Sequence, residues 1–266
     1  MKKAVLVVSF GTSYDETRKK TIEVCEKKIS AELSEYDFYR AYTSNMIIRK
    51  IKKRDGIEIN NPLQALEKLY EEGYEEVIVQ TLHIICGEEF NKLKAQIESY
   101  KPKFKKLVLG RPLLTYIDDY KEVVEALEVQ IPKMENDEAV VFMGHGTFHE
   151  SHAAYPAIEY MLRDHGINGY VGTVEGYPEI ENVIKRLKEN KVKIVNLMPL
   201  MLVAGDHAIN DMAGDEEDSW KSILEEQGFE VKVHLQGLGE NYKIQDKFVK
   251  HAYDCIKQLK ELEVIC

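Results

Sequence analysis

Cysteine is scarce in this chain. Its 266 residues include four, Cys25, Cys86, Cys255 and Cys266, and none stands in a C-x-x-C pair. That spacing supports neither a disulfide framework nor a cysteine-built zinc cage, and a reduced, cytoplasmic protein is the simpler reading. Long apolar runs are missing too. No segment approaches the ~20 apolar residues of a membrane span. The short run Ala4 to Val8 behind Met1-Lys2-Lys3 stops at Ser9. That is too short for a signal-peptide core and reads as a first β-strand. Positive charge is in deficit, with 36 Lys and Arg against 46 Asp and Glu and a net charge of -10. Nucleic acid and anionic membranes are therefore poor partners. A small anionic substrate is still compatible, because a local basic patch can coexist with net negative charge. Nothing matches a Walker loop, a G-x-G-x-x-G turn, H-E-x-x-H or a nucleophile elbow.

What is present is regular alternation. Apolar runs at 4–10, 37–42, 76–84, 106–109, 138–143, 168–174, 192–199 and 230–235 read as strands. Amphipathic stretches near 14–34, 62–72, 89–100, 117–130, 150–164, 178–190, 207–227 and 240–262 read as helices, with a further one at Asn45 to Lys53. Strand–helix alternation with strands apolar on both faces implies parallel sheets covered by helices. Asn61-Pro62 marks a helix start, and Gly73 and Gly228 mark helix ends.

The pattern repeats itself. Val5-Leu6-Val7-Val8-Ser9-Phe10-Gly11-Thr12 is echoed by Val140-Val141-Phe142-Met143-Gly144-His145-Gly146-Thr147. The run from Val77 to Ile85 ending in Gly87-Glu88-Glu89 is echoed by Ile194 to Val203 ending in Gly205-Asp206-His207. Two copies imply a pair of similar Rossmann-like α/β half-domains. We expect them at 1–133 and 138–266, separated by the polar break Pro132 to Asp137, with the last helix able to pack back on the first domain. Ligands of open α/β sheets bind beyond the carboxyl ends of strands. The active site is therefore expected in the cleft between the halves.

Chemistry-bearing residues cluster at those strand ends. His145 sits between two glycines, and reads either as a hydrogen-bonded turn residue or as an exposed ligand. His207 opens an expected helix on which Asp211 and Asp215 recur four residues apart, either a solvated acidic face or a guide for a cation. Glu175 follows a strand beside Gly176. Two imidazoles and one carboxylate suit a divalent first-row metal with open positions. Glu89 is the first-half counterpart of His207 and could move protons or complete the coordination. His83, inside an apolar run, reads first as a core histidine. His149 and His152 read as surface residues.

Together, Ser9-Phe10-Gly11-Thr12-Ser13, Leu82-His83-Ile84-Ile85-Cys86-Gly87-Glu88-Glu89, Gly144-His145-Gly146-Thr147 and Gly205-Asp206-His207-Ala208-Ile209-Asn210-Asp211 resemble a known family. They are similar to the anaerobic sirohydrochlorin cobaltochelatases of cobalamin biosynthesis (CbiK-type), class II chelatases related to ferrochelatase. The resemblance spans essentially the whole chain, with Cys86 where many relatives have proline. It implies a bilobal chelatase fold and ATP-independent insertion of Co2+ into sirohydrochlorin, with cobalt as substrate and no prosthetic group. It further implies that His145, Glu175 and His207 bind the metal, and that His145 is the proton acceptor. Glu89 would stand opposite as a proton-transfer or selectivity residue. Phe10, Gly11, Thr12, Ser13, His83 and Gly146 would hold the tetrapyrrole. Tyr14, Tyr42 and Tyr177 offer ring contacts, and Arg40, Arg49, Lys50 and Lys92 offer cations for its carboxylates. Competing readings are insertion of Fe2+ or Ni2+ on the same ring, a non-catalytic tetrapyrrole or metal carrier, and a two-lobed small-molecule receptor. A homo-oligomer using the exposed face of 240–262 is left open.

Overall fold

The structure is a computed structural model that describes residues 1–265. Eight strands form two sheets of four. The first contains β1 (Lys3–Ser9), β2 (Asp37–Tyr42), β3 (Glu76–Thr81) and β4 (Lys106–Leu109), in the order β2-β1-β3-β4. The second contains β5 (Glu138–Thr147), β6 (Gly169–Gly176), β7 (Ile194–Pro199) and β8 (Glu230–Val233), in the order β6-β5-β7-β8. Every pairing is parallel. The two orders are the same order, so the internal echo in the sequence is a repeat of topology. The chain is a pair of Rossmann-like half-domains.

Ten α-helices flank the sheets among the described residues. They are α1 (Asp15–Lys20), α2 (Ile22–Glu32), α3 (Asn45–Asp55), α4 (Pro62–Glu71), α5 (Glu88–Tyr100), α6 (Ile117–Gln130), α7 (Ala154–Asp164), α8 (Ile180–Glu189), α9 (Trp220–Glu226) and α10 (Tyr242–Ile265). Local chemistry sets their ends. Asn61 and Gln64 form a capping box at α4, with Pro62 just inside the helix. Ser44 caps α3, and Gly56 closes it with φ +70°. None is long and apolar enough to cross a membrane.

The first core cluster joins Leu6, Val8, Val77 and Val79 of the sheet to Leu66, Leu69, Leu93 and Ile97 of α4 and α5. The second joins Val141, Met143, Val195 and Leu197 to Val183, Leu187, Trp220 and Leu224 of α8 and α9. Strands buried on both faces explain the unbroken apolar runs.

The chain divides into two compact units, Met1–Thr115 with the segment from Tyr242 onward, and Tyr116–Asn241. The polar break at Pro132 to Asp137 thus lies inside the second unit, where it joins α6 to β5. Hydrogen bonds hold α6 there: Gln130 Nε2 donates to the Gln236 carbonyl at 2.9 Å, and Asn241 Nδ2 to the Ala126 carbonyl at 2.7 Å. A polar stretch between apolar runs signals a loop, and does not say which unit owns the helix before it. The last helix, α10, belongs to the first unit. It packs on α2, β3 and β4, burying Ile244, Phe248, Ala252 and Cys255. Burial pushes the Cys25 and Cys255 thiols up to about 12, so neither is a ready thiolate. Cys266 lies outside the described residues.

Because Phe248 is fully buried in the first unit, Phe248→Ala should destabilise that unit by about 3–5 kcal/mol. In hydrogen exchange read by mass spectrometry, protection should fall in β3, β4 and α2 before it falls in β5 to β7. Equal loss in both units would show that α10 is not specific to the first.

Candidate active site

In both sheets the strand order reverses at one point. In the first, β2 lies on one side of β1 and β3 on the other; in the second, β6 and β7 flank β5 in the same way. Loops leaving the carboxyl ends of such a strand pair diverge and leave room for a ligand. In the first sheet these loops carry Phe10 to Ser13 and His83 to Glu89. In the second, the end of β5 itself carries His145 to Thr147, and the segment after β7 carries Leu200 to His207.

The second unit brings two of the expected ligands together. The rings of His145 and His207 lie edge to face, with centroids 4.8 Å apart. His145 does not sit on a turn. β5 runs through the Gly144-His145-Gly146 triplet, paired with β6 as far as Gly146↔Glu175 and Thr147↔Gly176. Glycine is required on both sides of the histidine. A Cβ on Gly144 would lie 2.3 Å from the Tyr155 ring. One on Gly146, at φ +85°, would lie 1.8 Å from the Glu175 carbonyl oxygen. The Gly146 N–H donates to the Tyr155 hydroxyl at 3.0 Å, which fixes the strand end while leaving His145 exposed. Glu175 is therefore on the neighbouring strand, one residue out of step with His145, and is exposed.

His207 is oriented by an acid. Its Nδ1 meets Asp211 Oδ2 at 2.5 Å. A histidine bound by carboxylate on one nitrogen offers the other to a metal, its ring orientation fixed. The helix expected at 207–227 is not continuous. Ala208–Met212 forms a π-helix, and α9 starts only at Trp220. Asp215 is accordingly off the expected stripe and pairs with Lys221 at 2.8 Å. π-Turns recur at functional sites because the wider turn re-aims a side chain. The four-residue spacing of His207 and Asp211 pointed to that pair; the turn type had no sequence signal.

Glu175 does not close a cage with the histidines. No group of three or more His, Cys, Asp or Glu side chains stands close enough to hold a metal among the described residues. Glu175 instead borders a hollow of about 420 Å³ lined also by Phe148, Glu179, Glu181 and Trp220. Three carboxylates there suit a cation better than a polyanion. His149 and His152 are half-buried in the turn after β5, where His149 Nδ1 accepts from the Ser151 N–H at 3.1 Å.

In the first unit, Phe10 is exposed, whereas Thr12 and Ser13 are buried and shape the loop. Thr12 Oγ1 accepts from the Tyr14 N–H, and the Ser13 carbonyl accepts from Arg54 Nη1 at 2.7 Å. Arg54 had not stood out in the sequence, being one cation in a basic helix. Gly11, at φ +92°, lies against the ring of Tyr42, which a Cβ would approach to 2.5 Å. Tyr42 is thus wholly buried and offers no ring contact. Arg40 is not a free cation either: it pairs with the buried Glu26, Nε to Oε1 at 2.8 Å. Burial raises the Glu26 carboxyl, against the lowering pull of Arg40. Tyr177 is exposed. Glu89, in the first turn of α5, pairs with Lys92 at 3.0 Å. Burial pushes the His83 imidazole down to about 4, with Glu89 pulling it up.

The family model described as "Cobalt chelatase (CbiK)" matches residues 3–257. The chain belongs to the cobalt chelatase (CbiK) family. A sirohydrochlorin cobaltochelatase of Salmonella typhimurium is 48% identical over 98% of this chain and 99% of its own length. Sirohydrochlorin cobaltochelatase CbiKC of Nitratidesulfovibrio vulgaris is 33% identical over 98% and 93%. Among solved structures, SirB from Bacillus subtilis with Fe3+ overlaps at a TM-score of 0.66, with 14% identity over 96% of both chains. CbiX, described as the terminal enzyme of siroheme biosynthesis in denitrifying bacteria, overlaps at 0.55 with 15% identity over 96% and 99%. At that identity the structural matches speak to fold alone.

Two outcomes follow from this geometry. Gly146→Ala should destabilise the protein by at least ~1 kcal/mol in urea unfolding, because a positive φ and a backbone clash coincide; an unchanged midpoint would refute the close packing of β5 on β6. The second concerns pH. An unfolded His83 takes up a proton near pH 6.5, the folded one only near pH 4. Between those values the unfolded chain binds more protons, so stability falls as pH drops from about 6.5 towards 4. His83→Gln should flatten that part of the stability curve by about one proton, and identical curves would mean that the folded imidazole titrates normally.

Proposed function

We propose that this protein inserts Co2+ into sirohydrochlorin without ATP, in the anaerobic route to cobalamin. The observation that carries the reading is the edge-to-face pair of His145 and His207, one of them tied to Asp211. The names of the two relatives supply the substrate. In this reading His145 and His207 receive the cobalt ion, which is substrate and not a resident cofactor; Glu175, on the adjacent strand end, would complete the set only by moving, since it closes no cage with them here. With Nδ1 engaged by Asp211, His207 presents Nε2. His145 Nδ1 faces its neighbour's Gly146 carbonyl at 3.2 Å, so it too presents Nε2. Few protein donors leave coordination positions open, which an ion in transit needs.

Insertion requires the macrocycle to give up two pyrrole protons. His145 accepts one, its Nε2 lone pair being freed as cobalt passes to the ring, and the exposed position at the end of β5 leaves it free to pass that proton to water. Glu89, in the first turn of α5, is assigned the transfer of the other. Phe10 and Gly11 supply the apolar contact and close backbone approach that a flat ring needs. Imidazole and carboxylate donors also accept Fe2+ and Ni2+, and the general affinity order does not favour Co2+ over Ni2+. Cobalt is chosen here on the relatives' names.

An anaerobic absorbance assay with sirohydrochlorin and Co2+ tests the proposal. The wild type should convert the ring saturably. His145→Ala and His207→Ala should be slowed ~100-fold or more, and Asp211→Asn about 10–100-fold. Ring binding with no turnover for cobalt, iron or nickel would leave a carrier and sink the enzyme reading.

A further inference from the structure

We propose that Tyr155 is a positioning residue of the metal site: its hydroxyl, bonded to the main chain of Gly146, sets the direction in which His145 presents Nε2. The proposal rests on the reading of His145 as a residue that receives cobalt, and gives that histidine the kind of partner that His207 has in Asp211.

The end of β5 lacks one of its strand neighbours. Its ladder with β7 closes at Met143↔Pro199, whereas the ladder with β6 runs on to Thr147↔Gly176. His145 and its two glycines are therefore held by a strand on one side only. Glycine on both sides also leaves the backbone freer there than elsewhere along β5. Tyr155 supplies the missing restraint. It is 3% exposed. Its ring lies against Gly144, where a Cβ would come within 2.3 Å of it, and its hydroxyl accepts from the Gly146 N–H at 3.0 Å. One side chain thus grips both residues that flank the histidine.

That grip reaches the imidazole by two routes. The Gly146 N–H belongs to the planar peptide unit that begins at the His145 carbonyl, so anchoring it fixes the ψ angle of His145. The Gly146 carbonyl in turn stands 3.2 Å from His145 Nδ1. A carbonyl only accepts, so Nδ1 carries the hydrogen and Nε2 keeps its lone pair. Releasing Gly146 loosens the backbone and the tautomer together.

The local sequence brings the tyrosine back to the strand it has just left. Thr147 Oγ1 accepts from the His149 N–H, and His149 Nδ1 from the Ser151 N–H, both at 3.1 Å. These bonds turn the chain through the 3₁₀ segment Glu150–Ala153. Tyr155 is then the second residue of α7, and Pro156 follows in the first turn, where its missing N–H costs nothing. A phenylalanine would fill the same space. The buried hydroxyl is accounted for by the buried Gly146 N–H, which has to find an acceptor. Burial also pushes that hydroxyl up to about 12, so it stays a neutral O–H and exchanges no proton with the macrocycle.

Tyr155→Phe keeps the ring and removes the hydrogen bond. Three anaerobic measurements read the result: binding of Co2+ alone by its ligand-field absorption, steady-state insertion into sirohydrochlorin, and imidazole-nitrogen NMR. The variant should bind Co2+ about 10–100-fold more weakly, and its rate at limiting Co2+ should fall to match. The KM for sirohydrochlorin and the shape of the pH–rate profile should stay as in the wild type. The His145 ring should be a single tautomer with hydrogen on Nδ1 in the wild type and a mixture in the variant. Ile158→Val, a substitution at a fully buried site of the same helix, controls for stability: it should lower the urea midpoint and leave cobalt binding alone. A Tyr155→Phe protein that loses stability but keeps its cobalt affinity and its tautomer would reduce Tyr155 to a structural residue and overturn the proposal. Loss of one limb of the pH profile would make the hydroxyl an acid or base and overturn it equally. Hydrogen on Nε2 of His145 in the wild type would overturn it without any variant. A wild type that binds Co2+ but does not insert it would overturn the chelatase reading alone, and the comparison of cobalt affinities would still decide for or against Tyr155. A wild type that binds no Co2+ would overturn both.

Discussion

The parallel pairing of β5 with β6 continues past the point where most strands would stop, and the candidate site hangs on that extension. Two glycines make it possible. Gly144 admits the Tyr155 ring, and Gly146 lets the backbone of β6 come close enough to keep the ladder closed. Neither glycine could be exchanged for any other residue without a clash, so the histidine between them is held by main-chain geometry and not by its own packing. A side chain placed in this way can be exposed and still be precisely directed.

The two half-domains use one topology for different ends. At the reversal point of the second sheet stand the paired imidazoles and the acid behind one of them. At the equivalent point of the first sheet stand an exposed phenylalanine, a loop shaped by Thr12 and Ser13, and a row of polar atoms lacking partners. One topology thus carries two different sets of side chains at equivalent strand ends. A reaction that joins a cation to a polyanionic macrocycle needs both kinds of surface, kept electrostatically distinct.

Much of this was legible in the sequence, and the reasons it was legible are also the reasons the rest was not. The strands were visible because burial on both faces demands unbroken apolar runs, and their starts and ends lie close to expectation except at 138–147. There the chain looks like a turn because glycine usually means one, whereas here it serves close approach. The helix expected from His207 onward failed because periodicity cannot tell a π-turn from an α-turn over five residues. Arg40 was expected to serve the ring's carboxylates and Tyr42 its face, since one sequence does not reveal that Glu26 pairs with the first and that the second is buried against Gly11. The ownership of α6 and α10 is decided by tertiary contacts alone.

The assignment of α10 has a consequence for how the protein is made. The second unit is one continuous stretch of chain, while the first is assembled from the two ends. On the ribosome the amino-terminal strands emerge early but lack the helix that covers β3 and β4. They wait, with apolar surface exposed, until the α10 segment has emerged. The unit synthesised second can therefore finish folding first. The unit whose strands are made first is the last to become stable, and termination ahead of α10 leaves a complete second unit tethered to an unfinished first.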